Sequence, residues 1–183
     1  MLRLVIDPGH GGHDPGAVCG GLREADLTLA LALELAHALR GYAVDLRLTR
    51  EDDREVPLAA RVALANELTA DLYLSIHCNA AQNPESRGFE SYVHPAARPC
   101  TQAFRSLIHA AAASYLAQHG VPDRGQRRAD FYVLRRTACP AVLLECLFIT
   151  NAADAALLRD PCVRAGLART LARAVARATG LAD

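Results

Sequence analysis

The chain contains no lysine: all twenty of its basic residues are arginine, and twenty acidic residues bring the formal net charge to zero. That balance excludes a partner held by bulk charge, so no nucleic acid is expected. The scattered arginines read as a compositional bias, since no charge-dependent function calls for them. No apolar run approaches the roughly 18 residues of a membrane span, which excludes a transmembrane segment. The N-terminus enters an apolar run at Leu2 without a basic stretch and cleavage site, so no export signal is expected and synthesis is expected in the cytoplasm. The six cysteines, Cys19, Cys78, Cys100, Cys139, Cys146 and Cys162, include no C-x-x-C pair. A chain of this size without a leader needs no disulfide framework, so the thiols are expected reduced and buried, with Cys19 the one to watch. Repeats, low-complexity stretches and linkers are also absent, and a single domain over residues 1–183 is expected, as a monomer.

What the chain has is an alternation of strand-like and helix-like segments. Leu2 to Ile6 is an apolar run of strand length. Glu24 to Arg40 reads as a helix stopped by Gly41, although Leu27, Leu29, Leu31, Leu33 and Leu35 alternate with a period of two. Its length, the interleaved alanines and the glycine decide for a helix apolar on most sides and hence deeply packed. Ala43 to Leu48 is a second strand, and Pro57 opens a helix running to about Leu68. Asp71 to Ile76 is the third strand, and Gly88 to Val93 alternates like a half-exposed one. Thr101 to His119 reads as helix, Phe131 to Leu134 and Ala141 to Phe148 as later strands. Thr150 or Asn151 caps a short helix, and Asp160-Pro161 starts the last one, whose arginines leave an alanine and leucine face for burial. The sum is an α/β fold: a mostly parallel or mixed sheet of about six strands, flanked by helices on both faces.

Asp7-Pro8-Gly9-His10-Gly11-Gly12 closes the first strand and puts a lone imidazole at its C-terminal end, where open α/β sheets place their ligands. The flanking glycines permit φ > 0 and keep space clear around the ring. Glu24 heads a helix and His77 ends the third strand, so the topology lets His10, Glu24 and His77 meet as a zinc site with a fourth position for water. Glu24 is otherwise an ordinary N-terminal helix acid, and His77 an ordinary strand-end histidine. Cys78 adjoins His77 but must point to the opposite face, which makes it a poor co-ligand. Glu145 lies within the apolar run Ala141 to Phe148, where a carboxylate must be paired, with Arg135 or Arg136 for example, or raised in pKa. The second condition suits a general base beside a metal-bound water.

These residues resemble a known family, the zinc-dependent N-acetylmuramoyl-L-alanine amidases that cleave peptidoglycan. The resemblance spans nearly the whole chain in five ordered blocks. They are Asp7 to Gly12 with Asp14-Pro15-Gly16-Ala17; Glu24; Thr49-Arg50-x-x-Asp53-x-x-Val56-x-Leu58-x-x-Arg61-x-x-x-Ala65-Asn66; Ser75 to Ala80; and Pro140 to Glu145 with Phe148 and Asn151. Ala25 and Thr28 stand where the family commonly has lysine and asparagine, and Leu147 where it has glycine. The resemblance implies zinc on His10, Glu24 and His77, with Glu145 as the catalytic glutamate. The implied reaction is hydrolysis of the amide between the lactyl group of N-acetylmuramic acid and L-alanine of the stem peptide, with Glu145 carrying the proton from water to the leaving amine. Arg50, Asp53, Arg61 and Asn66 are expected to tie the loop after the second strand to the following helix. Arg124, Arg127 and Arg128 read as a solvated loop that can also contact an acidic stem peptide. Asn79 is a candidate for orienting a ligand or substrate, and His13 for a supporting or substitute ligand.

The span from Asn79 to Asp130 is accounted for by one strand and one helix, without the occluding helix of cell-separation amidases. An open catalytic domain with no leader is similar to phage lytic amidases, and equally to a trimmed exported enzyme; either acts on the cell wall. Two alternatives stay open on the residues alone: a non-catalytic peptidoglycan-binding module, and a zinc peptidase or deacetylase acting on another amide.

Overall fold

The computed structural model describes residues 1–181. Among these residues the strands and helices run β1 Leu2–Pro8, β2 Val18–Cys19, β3 Leu22–Arg23, α1 Glu24–Ala38, β4 Val44–Leu48, α2 Leu58–Glu67, β5 Leu72–Asn79, β6 Phe89–Val93, α3 Pro99–Ala117, β7 Asp123–Arg128, α4 Tyr132–Arg136, β8 Ala141–Phe148, α5 Ala152–Arg159 and α6 Pro161–Ala178. Six strands form one sheet in the order β4-β1-β5-β8-β6-β7. β4, β1, β5 and β8 are parallel, β6 is antiparallel to β8, and β7 is parallel to β6. The expected α/β architecture with a mixed six-stranded sheet is therefore what the chain forms. β2 and β3 make a separate hairpin in the loop after β1.

Strand alternation divides the core in two. Leu4, Ile6, Leu72, Leu74, Ile76, Val142, Leu144 and Cys146 point to one face and pack under α1, α3 and α6. Val5, Tyr73, Ala141 and Leu143 point to the other, against Val62 and Ala65 of α2 and Val133 and Leu134 of α4. The two covers are unequal. α1, α3 and α6 have 15, 19 and 18 residues, whereas α2 and α4 have only 10 and 5. The short pair leaves room over the C-terminal ends of β1, β5 and β8, and a cavity opens there.

Four sequence expectations are corrected. Phe131 to Leu134 is not a strand but the entry into α4, whose Val133 and Leu134 pack with Val62 and Ala65 of α2 over one face of the sheet; a four-residue apolar run does not separate helix from strand. Asp123–Arg128 forms the edge strand β7 although it has no apolar residue, because its backbone alone completes the ladder with β6. The span after Asn79 thus holds two strands and one helix. β6 lies inside the sheet rather than half-exposed, with Phe89, Ser91 and Val93 at 0% exposure. Finally, α1 buries a single stripe, Leu27, Leu31 and Leu35 with Ala25, Thr28 and Ala32, while Leu33 is 40% exposed. The caps follow expectation: the Asn151 side chain accepts from the Ala153 and Asp154 amides, and that of Asp160 from the Cys162 amide.

α3 and α6 approach closely because Gly166 has no side chain. A Cβ there would lie 2.0 Å from the Tyr115 hydroxyl oxygen and 2.5 Å from Cζ. Gly→Ala inside a helix ordinarily stabilises by about 1 kcal/mol. Gly166→Ala is expected to reverse that sign and destabilise by about 1–3 kcal/mol through overpacking, read as a lower urea midpoint at unchanged m.

Candidate metal centre

The centre begins with the turn that ends β1. His10, Gly11 and Gly12 have φ of 61°, 125° and 63°, so the imidazole is carried on a backbone segment that L-residues avoid. Two buried guanidinium groups hold it. Arg61 donates to the carbonyls of Pro8 at 2.6 Å and His10 at 2.7 Å and pairs with Asp7 at 2.7 Å. Arg50 donates to the Pro8 and Gly9 carbonyls at 3.1 and 2.8 Å, and its Nη2 also reaches Ala25 O and Thr28 Oγ1 in the first turns of α1. The Gly12 amide donates to Asp53. The block from Arg50 to Arg61 is structural as expected, but its partners are the His10 turn and α1, not chiefly α2. Asn66 bonds Arg136 O and the Ala138 amide instead. Thr28 also donates to Gly9 O, so the residue that replaces the family's asparagine still ties helix to turn.

His10, Glu24 and His77 meet. One donor atom from each lies within 4.8 Å of the others. Glu24 Oε1 is 3.2 Å from His10 Nε2 and 3.0 Å from His77 Nδ1. Bonds of 2.0–2.1 Å in a tetrahedral shell imply ligand separations of about 3.3 Å, so the two spacings from Glu24 suit a small divalent ion. Asp14 Oδ2 meets His10 Nδ1 at 2.8 Å and fixes the ring, a role the sequence did not reveal. Glu24 also accepts from the Ala17 and Cys78 amides. Glycines shape the cradle. A Cβ at Gly9 would fall 2.3 Å from His77 Cε1, and one at Gly16 would fall 2.7 Å from both Glu24 Oε2 and His10 Cδ2. Burial alone would raise the Glu24 pKa, but hydrogen bonds with His10 and His77 hold it well below the carboxylate range. The bond to Glu24 in turn raises His10 to about 9.

Glu145 is the neighbour of His77 in the β5–β8 ladder and faces the same cavity. No arginine neutralises it: Arg135 pairs with Asp130, and Glu145 Oε2 is buried without a hydrogen-bond partner. Desolvation, with the nearby Glu24 and Glu90 charges, raises its pKa from 4.5 to about 7. The register shifts just past Glu145, and Leu147 takes φ of 69°, which accounts for glycine being usual there. The cavity of about 600 Å³ is also walled by Val56, Pro57, Leu58, Phe131 and Tyr132, a role the sequence did not reveal although Val56 and Leu58 stand in the third block and Pro57 and Phe131 mark element starts. Asn79 lines it and donates to Glu90. His13 is exposed and outside the ligand group, and Cys78 is buried in the core below. All six cysteines are free, but only Cys78 and Cys146 are buried as expected; Cys19 and Cys139 are half-buried and Cys100 and Cys162 exposed.

Fold and donor set together define a class: a hydrolase on an α/β sheet, with two histidines and a glutamate converging beside a second, unpaired glutamate. The chain belongs to the N-acetylmuramoyl-L-alanine amidase family, whose model matches residues 4–177. It is 40% identical over 183 residues to N-acetylmuramoyl-L-alanine amidase CwlM of Bacillus licheniformis, covering 99% of this chain and 70% of that protein. It is 40% identical over 163 residues to the endolysin of Bacillus phage SPP1, covering 87% of this chain and 59% of the endolysin. The catalytic domain of CwlV, an N-acetylmuramoyl-L-alanine amidase from Bacillus (Paenibacillus) polymyxa var. colistinus, superposes with a TM-score of 0.93 at 34% identity, covering 99% of each chain. The protein is thus a peptidoglycan amidase, which sets aside the binding-module alternative.

A raised carboxyl pKa makes a pH prediction for the metal-free protein. The neutral form is favoured on folding, so its contribution is complete below the unfolded value of about 4.5 and lost as pH rises through about 7. Glu145→Gln is expected to match the native chain in urea stability near pH 4 and to exceed it by roughly 1–3 kcal/mol at pH 8.

Proposed function

We propose that the protein hydrolyses the bond between the lactyl carbonyl of N-acetylmuramic acid and L-alanine, with zinc held by His10, Glu24 and His77 and with Glu145 as the proton carrier. The observation that carries this reading is the placement of Glu145: in register with His77, open to the same cavity, and with Oε2 unpartnered. A zinc ion in this donor set supplies a Lewis acid for the amide carbonyl and a water acidic enough to give up its proton near neutrality. Glu145 would take a proton from the water as its oxygen adds to the lactyl carbonyl carbon. It then delivers the proton to the amide nitrogen, which leaves as the L-alanine amine; without protonation an amide nitrogen is a poor leaving group. Asp14 keeps the His10 ring turned so that Nε2 faces Glu24, where it would be free to hold the zinc, and Arg50 and Arg61 keep the turn itself in place. Val56, Leu58 and Phe131 offer apolar surface to the substrate opposite the ligands and exclude water from that wall. The place of action is the cell wall.

The test is release of new L-alanine amino termini from purified peptidoglycan. Activity is expected to vanish with chelator and return with zinc. Glu145→Gln is expected to lose about 10²–10⁴-fold in kcat while its zinc content, measured by atomic emission, stays at one per chain. Retained cleavage in that variant overturns the role of Glu145. The cradle gives a second check: Gly9→Ala is expected to weaken zinc binding at least tenfold in a chelator competition, with the far-ultraviolet dichroism unchanged, because its Cβ would occupy the space of the His77 ring.

A further inference from the structure

Glu90 stands beside Glu145 in the β6–β8 ladder and faces the same side of the sheet. Its Oε2 accepts from Nε of Arg124 at 3.2 Å and forms an ion pair with Nε of Arg127 at 2.7 Å, and its Oε1 accepts from Asn79 and the Tyr92 hydroxyl. One carboxylate therefore holds two guanidinium groups by their Nε edges, and the trio carries one net positive charge. The Arg124 and Arg127 side chains remain 33% and 46% exposed.

This convergence is not what a regular strand would give. Residues 124 and 127 are three apart and would face opposite sides. The β6–β7 register shifts between Phe89 and Glu90, placing Gly125, at φ of 89°, opposite Glu90, and this bulge turns both arginines onto one oxygen. Arg124 is held further. Its guanidinium lies 4.8 Å from the centre of the Phe148 ring, and its stem occupies the space a side chain at Gly88 would need, where a Cβ would come 2.9 Å from Cγ.

The cavity walls offer nothing comparable. Among the described residues they carry Asp7, Asp14, Glu24, Glu55 and Glu145, and their one guanidinium, Arg61, is 4% exposed and engaged by Asp7 and backbone carbonyls. Strands lie about 4.8 Å apart, so β6 and β7 are roughly 5 and 10 Å across the sheet from Glu145. An extended peptide advances about 3.3–3.6 Å per residue, so one running from Glu145 across β6 and β7 reaches them two or three residues past the scissile amide.

We propose that Arg124 and Arg127, mounted on Glu90, form a subsite for a free carboxylate on the stem peptide, and that the enzyme therefore discriminates against stems in which that carboxylate is amidated. The inference rests on the amidase reading above. The test compares kcat/KM for two soluble muramoyl peptides that differ only in a free carboxylate or a carboxamide on the second stem residue. The native enzyme is expected to prefer the carboxylate on the order of tenfold, mostly in KM, with the preference shrinking as salt is raised. Arg124→Gln with Arg127→Gln is expected to bring the ratio within about twofold, and Arg127→Lys to retain part of it. Equal cleavage of both substrates by the native enzyme overturns the subsite alone. So does a variant that loses activity on both in proportion, since the ratio then survives. No release of L-alanine amino termini from either substrate by the zinc-loaded enzyme overturns the amidase reading itself, and the subsite with it.

Discussion

Three successive carbonyl groups, those of Pro8, Gly9 and His10, are taken up by two buried guanidinium groups, and the candidate site depends on that exchange. The left-handed turn that presents His10 carries its backbone away from the sheet ladder, and a buried carbonyl left without a donor costs about 1–3 kcal/mol. Arg61 has Asp7 as its counter-ion. Arg50 is fully buried and makes no salt bridge; it is surrounded instead by the carbonyls of Pro8, Gly9, Ala25 and Asp52 and the Thr28 hydroxyl. Only a planar cation with five donors can span a turn and a helix in this way, and a lysine ammonium could not reach all of these groups. The absence of lysine is a bias of composition over most of the surface, but at these two positions arginine is what the geometry requires.

Three of the four candidate site residues were legible because each breaks a local pattern. His10 interrupts a glycine turn, His77 ends an apolar strand, and Glu145 sits inside one, whereas Glu24 by itself looks like any acid in a first helical turn. A strand's period of two then does the rest: Tyr73, Ser75 and His77 on β5, and Leu143 and Glu145 on β8, must share a face once those strands pair. What stayed hidden depends on strand order or on the backbone alone. β7 has no apolar residue to announce it, and its charged edge is the kind that resists pairing with other chains. Four apolar residues at Phe131 to Leu134 are too few to separate strand from helix. The neighbouring of Glu90 and Glu145 follows from β6 entering antiparallel between β8 and β7, which no spacing in the sequence encodes.

Leu147 shows how the strand holding Glu145 accommodates a departure from the family. At φ of 69° it occupies a conformation where glycine costs little and a branched side chain costs about 1–2 kcal/mol. It is also 1% exposed within the large core cluster, and burial of a leucine side chain is worth about 1.5–3 kcal/mol. The two effects are of similar size and opposite sign, so leucine is tolerated at the bulge. The register shift it occupies lies immediately beyond Glu145, and Glu145 itself remains opposite His77.

β6 also separates geometry that resembles a site from geometry that can act as one. Ser91 Oγ lies 2.8 Å from His109 Nδ1, and His109 Nε2 lies 2.9 Å from Asp123 Oδ1, a serine, histidine and carboxylate in series. The imidazole is reversed relative to a hydrolytic triad, in which Nε2 faces the serine. Ser91 and His109 are 0% and 3% exposed, so no substrate reaches the hydroxyl. The chain of bonds instead ties β6 to α3 and β7 on the thickly covered face. One residue to either side, Glu90 and Tyr92 turn to the face with the thin cover, where Glu90 stands beside Glu145 of the cavity wall. The same strand thus supplies a buried polar brace on one side and, on the other, a carboxylate that backs Asn79 and Glu145 of the cavity wall, and it is the unequal helical cover of the two faces that leaves the second side next to the chemistry.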